Sequence, residues 1–202
     1  MERTLTDFDN DLPPGATPLE DIDDLIPPFI TTRRDLFDAE FKNIAVASHS
    51  ALASRRKFRM EIPWLYKLHR AMFRYVWKWA GKKRRTNTNI GVDASQIDTE
   101  LMKLAGDYRF WLEHPMDPLE ISARLHHRLV QIYPFFNGNG RWARLAGNIF
   151  LKQQVGKVIQ WPERDSFSGT SFREAYIQAL HEADALNYNP LIAIHQQYAN
   201  FF

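Results

Sequence analysis

The chain has no cysteine, which excludes a disulfide framework and a thiolate zinc site. It has almost no net charge, with 26 basic residues against 24 acidic ones. Global electrostatics therefore give no reason to expect nucleic acid or a membrane surface as a direct partner. No apolar run approaches the length of a membrane span or a signal-peptide core. Internal repeats and low-complexity tracts are missing too. None of the seven histidines stands in H-E-x-x-H spacing, so a metal site built by the protein alone is not expected. These absences leave the expectation of a soluble, cytoplasmic protein. At 202 residues and 45% hydrophobic content, the chain suffices for one well-buried domain and not comfortably for two.

What is present divides at about residue 30. Residues 1–30 read as an extended acidic N-terminal arm: acidic residues crowd Asp7 to Asp24, prolines punctuate them and apolar periodicity is missing. Residues 31–202 read as a single, mostly helical domain. Phe37, Phe41, Ile44, Ser48, Ala51 and Leu52 fall on one helical stripe. Leu65, Leu68, Met72, Val76 and Trp79 make a second, from near Pro63 to Gly81. Ile97, Leu101, Leu104, Tyr108 and Trp111 make a third; Ile121, Leu125, Leu129 and Ile132 follow an Asp117-Pro118 start signal. Further helices are expected near Phe172 to Ala183 and after Pro190.

Two stretches break the helical pattern. Tyr133 to Arg144 reads Y-P-F-F-N-G-N-G-R-W-A-R. A Gly-Asn-Gly loop opening into a helix can aim unpaired main-chain N–H groups, and the positive end of the helix dipole, at an anion. Arg141 and Arg144 stand one turn apart and add two positive forks. That set suits a polyphosphate, although the same residues also fit a plain helix start with turn-forming glycines and solvated arginines. Arg85 to Ile97, rich in Thr and Asn with turn residues at Gly91 to Asp93, fits either a short β-hairpin or a loop between helices.

The string Tyr133-x-Phe135-x-Asn137-Gly138-Asn139-Gly140-Arg141-x-x-Arg144 resembles the signature of the Fic family of AMP-transferases, H-x-F-x-[DE]-G-N-G-R-x-x-R, at all but two specified positions. The resemblance implies an all-α Fic fold, a helical bundle with a small β-hairpin flap, that uses ATP with Mg²⁺ and transfers AMP to a hydroxyl side chain of a target protein. By the same resemblance Gly138, Asn139 and Gly140 form the anion hole, and Arg141 and Arg144 meet the β- and γ-phosphates. Asn137 takes the metal side and Phe135 anchors the loop. The flap falls on Arg85 to Ile97, where Thr88, Asn89, Ile90, Gly91 and Val92 would pair with the target's main chain.

The two exceptions are the family's His, its general base, and its acidic residue. Tyr133 stands where the base is expected. A phenol, with an ordinary pKa of about 10, is protonated at neutral pH, whereas imidazole at about 6.5 can accept a proton. The chain as written is therefore expected to be impaired in transfer. Asn137 is milder, since an amide oxygen still ligates Mg²⁺. Segments around Thr17, Ile30, His69, Leu125 and Ala179 are similar to the subfamily called mobile mystery protein B, in which Asn is usual at position 137 and His at 133. That likeness implies a small antitoxin-like or DNA-binding partner protein. A nucleotide-binding pseudoenzyme, or a toxin-like module acting through a partner, is the alternative function.

Other features point elsewhere. His126 and His127 lie nearly two helical turns before Tyr133 and read as structural. Lys82 to Arg85 read as a solvated basic face or, less simply, as a dock for an acidic target. Trp77, Trp79 and Trp111 sit at core spacings. Thr170-x-x-x-Glu174-Ala175 is the nearest approach to the family's inhibitory [ST]-x-x-x-E-[GN], and inhibition in trans, or none, is the expectation.

Overall fold

A computed structural model describes residues 23–162 and 171–202; most of the expected acidic arm, and Thr170, lie outside the described residues. Seven helices follow in order: α1 (Arg33–Ala53), α2 (Ile62–Phe73), α3 (Ile97–Glu113), α4 (Pro118–Ile132), α5 (Asn139–Val155), α6 (Ser171–Asp184) and α7 (Asn189–Tyr198). Local chemistry sets their ends. Thr32 and Asp35 close a capping box at the start of α1. Asp117 accepts the Leu119 N–H, with Pro118 at the first helical position of α4. Gly156, at φ 70°, ends α5.

Helices α4 and α5 pack side by side at the centre, with α2 and α3 against them and α6 and α7 on the far side. The stripes expected for α3 and α4 are buried as a set. Leu25 and Ile30 are buried in the main core as well, so the packed chain begins before residue 31. Among the described residues no helix is long and apolar enough to cross a membrane.

The chain departs from its periodicity in three places. Helix α2 ends at Phe73 and not at Gly81. Residues 74–81 are turns, in which Val76 accepts the Ile26 N–H and Lys78 donates to Asp24, so Val76, Trp77 and Trp79 are buried without a helix. On α1 the inward residues are Leu36, Asn43 and Ala47, while Phe41 of the expected stripe is half exposed. The third concerns the hairpin. The small two-stranded sheet pairs β1 (Lys157–Ile159) with β2 (Ala199–Phe201), and Arg85 to Ile97 is a bent loop closed by a 3₁₀ turn at Ala94–Gln96.

Candidate functional site

Helix α4 ends on Tyr133, which adopts the left-handed conformation at φ 53° and ψ 60°. An aromatic residue there is uncommon, and the surroundings enforce it. Its carbonyl accepts the Arg84 Nε at 2.7 Å, and its side chain is buried. The reversal turns Phe135 into the core, where it stacks on the His69 ring at 3.7 Å and meets Trp142 edge-on at 4.9 Å. Asn139 then clasps Phe135 from the first turn of α5: its Oδ1 accepts the Phe135 N–H at 2.9 Å and its Nδ2 donates to the Phe135 carbonyl at 2.8 Å. The Asn139 side chain is a strut of the loop, so only its main chain is left to face a ligand.

His69 supports the loop from below. The Gly81 N–H donates to its Nδ1 at 2.9 Å, which fixes the other nitrogen as the donor, and Nε2 reaches the Asn137 carbonyl at 3.0 Å. Burial pushes its pKa down to about 3, so a neutral ring with both nitrogens satisfied is what this floor holds at neutral pH.

The cradle lies at the start of α5. Gly138 has φ 78°, and a Cβ there would sit 2.5 Å from Phe73 Cζ; only glycine fits. Its N–H is taken by Asn137 Oδ1 at 2.6 Å, so the free donors begin one residue later. The N–H groups of Asn139, Gly140 and Arg141 have no partner among the described residues. A Cβ on Gly140 would meet nothing within 4 Å, so no side chain packs on that residue. The two arginines meet different company. Arg141 is paired with Glu40 of α1 at 2.6 Å, and that same carboxylate accepts the Trp77 indole N–H at 2.6 Å. Arg144 has no ion pair among the described residues, and its guanidinium lies over the Trp161 ring at 5.6 Å.

Opposite the loop runs the segment expected to be a hairpin. It forms no ladder because a side chain holds it together. Arg84, buried within the basic run, donates to the carbonyls of Tyr133, Thr86 at 2.9 Å and Val92. Val92 also donates to the Ile132 carbonyl at 3.4 Å. Gly91, at φ 97°, lies so close to the loop that a Cβ would come within 2.5 Å of the Tyr133 Cβ. Asp93 accepts from Ser95 and from Asn87, contacts that hold its carboxyl down at about 2. Between these ties, the main-chain N–H groups of Asn89, Ile90 and Gly91 find no main-chain partner among the described residues, and Ile90 is exposed.

Thus Tyr133, Asn137, Gly138, Gly140, Arg141 and Arg144 follow one another along the turn from α4 into α5, with Gly91 packed close to Tyr133. His126 and His127 turn away toward α6 and α7, where they bond to Tyr176 at 3.0 Å and Asp184 at 2.9 Å. Three residues of the site escaped sequence reasoning: His69, Arg84 and Glu40. His69 sits among the apolar positions of its stripe, and that is a usable signal; Arg84 is masked by three solvated-looking neighbours. Among the described residues no cluster of three acidic or histidine side chains could hold a metal ion.

Residues 59–151 match the model of the Fic/DOC family. The chain is 29% identical over 117 residues to a protein adenylyltransferase fic-1 of Caenorhabditis briggsae, covering 56% of this chain and 22% of that protein. It is 36% identical over 76 residues to a protein adenylyltransferase Fic of Nematostella vectensis, covering 36% of this chain and 18% of that protein. The chain thus spans only about a fifth of the length of these relatives, 22% and 18%. Its fold is that of the BepC protein of Bartonella tribocorum solved with AMPPNP bound, at a TM-score of 0.67, 16% identity and coverage of 90% of this chain and 98% of the other. It is also that of the N-terminal Fic domain of a VirB-translocated Bep effector of Bartonella quintana with bound ADP, at 0.65 and 20% identity over 86% and 89% of the two chains.

Proposed function

From the premise that residues 59–151 are a Fic/DOC domain, we propose that this chain binds ATP at the start of α5 and is built for AMP transfer to a hydroxyl of a target protein. One observation carries the reading: a row of N–H groups at Asn139 to Arg141 has no partner among the described residues, and no side chain packs on Gly140. Acceptor-rich phosphate oxygens complement such a row. Mg²⁺ would arrive with the nucleotide, and Asn137, with its single amide oxygen, is the residue that would hold it.

In the reaction, the target hydroxyl oxygen forms a bond to the α-phosphorus, the bond from that phosphorus to the bridging oxygen breaks, and pyrophosphate leaves. The hydroxyl proton needs an acceptor, and position 133 carries a phenol where the family signature has an imidazole. This sequence is therefore impaired in transfer. The Asn89 to Gly91 segment, whose N–H groups find no main-chain partner among the described residues, offers an edge on which a target strand can be laid. The likeness to mobile mystery protein B adds a small antitoxin-like or DNA-binding partner to the proposal, and the absences in the sequence add a cytoplasmic setting. The second reading is a silent nucleotide-binding module; it is favoured by Tyr133 itself, which is packed into the loop as a settled residue.

Labelling with α-labelled ATP tests the assignment. Tyr133→His should raise transfer roughly 10²- to 10⁴-fold, the range of a positioned base. Equal labelling by the two proteins would remove position 133 from the chemistry, and ATP binding without labelling by either would favour the silent module.

A further inference from the structure

Behind the cradle lies a buried polar cluster that the proposed reaction does not use. His126 of α4 bonds through Nε2 to the Tyr176 hydroxyl at 3.0 Å and through Nδ1 to His195 Nε2 at 3.2 Å. Trp161 meets both imidazoles edge-on, each at 5.1 Å, and gives its face to Arg144. Three buried nitrogens here have no hydrogen-bond partner among the described residues: Arg144 Nε, Trp161 Nε1 and His195 Nδ1.

The order of protons in this chain is determinate. If Tyr176 donates to His126 Nε2, then His126 Nδ1 donates to His195 Nε2, and His195 keeps one unfilled N–H. The reverse direction leaves both a lone pair on His195 and the Tyr176 proton without partners, which is worse in a dry interior. Every unfilled atom in the cluster is then a donor. A buried group of donors with no acceptor among the described residues favours a ligand made of acceptors.

The charge balance points the same way. Arg141 has Glu40 as counter-ion, whereas among the described residues no acidic side chain pairs with Arg144. Burial first, then His195 and the Arg144 charge, hold His126 neutral. A π face steadies a guanidinium without cancelling its charge, whereas a carboxylate would have to be displaced before an anion could bind.

We propose that Trp161, His126 and Tyr176 are positioning residues for Arg144, forming a neutral socket that keeps its charge in place for the terminal phosphates of a bound nucleotide. The proposal rests on the ATP-binding reading above. Trp161 supplies the surface on which the guanidinium lies, and His126 and Tyr176 fix Trp161 by edge-on ring contacts.

Calorimetry of the full chain with ATP, AMP and inorganic tripolyphosphate tests it. Trp161→Leu should weaken ATP and tripolyphosphate about tenfold and AMP less than about twofold, whereas Trp161→Phe, which keeps the face, should retain most of the affinity. In an Arg144→Ala background, Trp161→Leu should add little, because both changes remove one interaction. A merely structural tryptophan would lower thermal stability and weaken ATP and AMP alike; that result, or a full additional loss in the Arg144→Ala background, overturns the proposal. Should Trp161→Leu fail to fold, Trp161→Met, which also removes the aromatic face, must show the same selectivity for polyphosphate. Loss of selectivity in a chain that still binds ATP sinks the socket alone, and no ATP binding by the unaltered chain sinks the nucleotide reading with it.

Discussion

The loop from Tyr133 to Gly138 and the segment from Arg85 to Val92 lie against each other and are held by different means. The loop is fixed by side chains packed around it: Asn139 clasps Phe135 at both main-chain atoms, His69 stacks beneath, and Phe73 fills the space where Gly138 lacks a side chain. The facing segment is fixed by polar ties, from Arg84 and between Asn87 and Asp93, and by its approach to Tyr133, and among the described residues its central N–H groups find no main-chain partner. A phosphate site gains from donors that do not reorganise, while a surface that receives a peptide strand needs donors still to be satisfied. The two halves have the mechanical properties their proposed partners require.

Acid should separate the halves, with the largest effect. His69 is neutral in the fold, at about 3, and takes up a proton near pH 6.5 when unfolded. Its contribution is therefore complete above roughly pH 6.5 and is lost as the pH falls toward 3. By pH 5 the loss should be on the order of 2 kcal/mol for this residue, and His195, also at about 3 by burial, adds to it. Asp93, held at about 2, keeps its contribution above an unfolded pKa of about 4 and loses it only on falling through 2. The loop should thus weaken first. Urea unfolding at pH 7.5 and 5 reads this directly, and His69→Gln should flatten part of the slope; a stability equal at both pH values would refute the assignment.

Next comes Arg84. Replacing it with Ala removes the donor to three carbonyls across two segments and should cost about 2 kcal/mol, the scale of hydrogen bonds to a charged group. Lys should recover little, because one ammonium cannot reproduce a planar fork. Hydrogen exchange should report loss of protection at Val92 and Tyr133 while Phe135, clasped by Asn139, stays protected. Equal loss at Phe135 would mean that the two halves are one unit.

The same contrast marks what was legible beforehand. The loop could be read because glycines, a helix start and paired arginines are short-range signals, and the α3 and α4 stripes because burial there follows a helical period. Val76 and Trp79 continued such a period past the end of α2, since turns crossed by the chain from Asp24 to Ile26 bury apolar side chains equally well. Arg84 looked like one of four solvated cations; nothing local distinguishes the one that is buried. Glu40 and Arg141 are 101 positions apart, and only the packing of α1 on α5 joins them. Thr and Asn in Arg85 to Ile97 suit a ladder and a side-chain-closed loop alike, and the guanidinium that closes the loop decided between them.

The smallest effect on stability should come from Ile90→Pro, and that is its value. Ile90 is exposed, and its N–H has no main-chain partner among the described residues, so removing that donor costs the free protein little, within roughly 0.5 kcal/mol as for other surface changes. A strand laid on this edge would lose a main-chain bond and meet a ring that cannot continue a ladder. In the Tyr133→His background, Ile90→Pro should therefore abolish target labelling. ATP affinity should stay within about threefold, under roughly 0.7 kcal/mol, because the nucleotide cradle belongs to the other half. Ile90→Ala keeps the N–H and should be milder. Measuring labelling, ATP affinity and thermal stability together makes the outcome decisive: target labelling by the proline variant at an unchanged rate would show that the segment only connects α2 to α3 and that the target is held elsewhere.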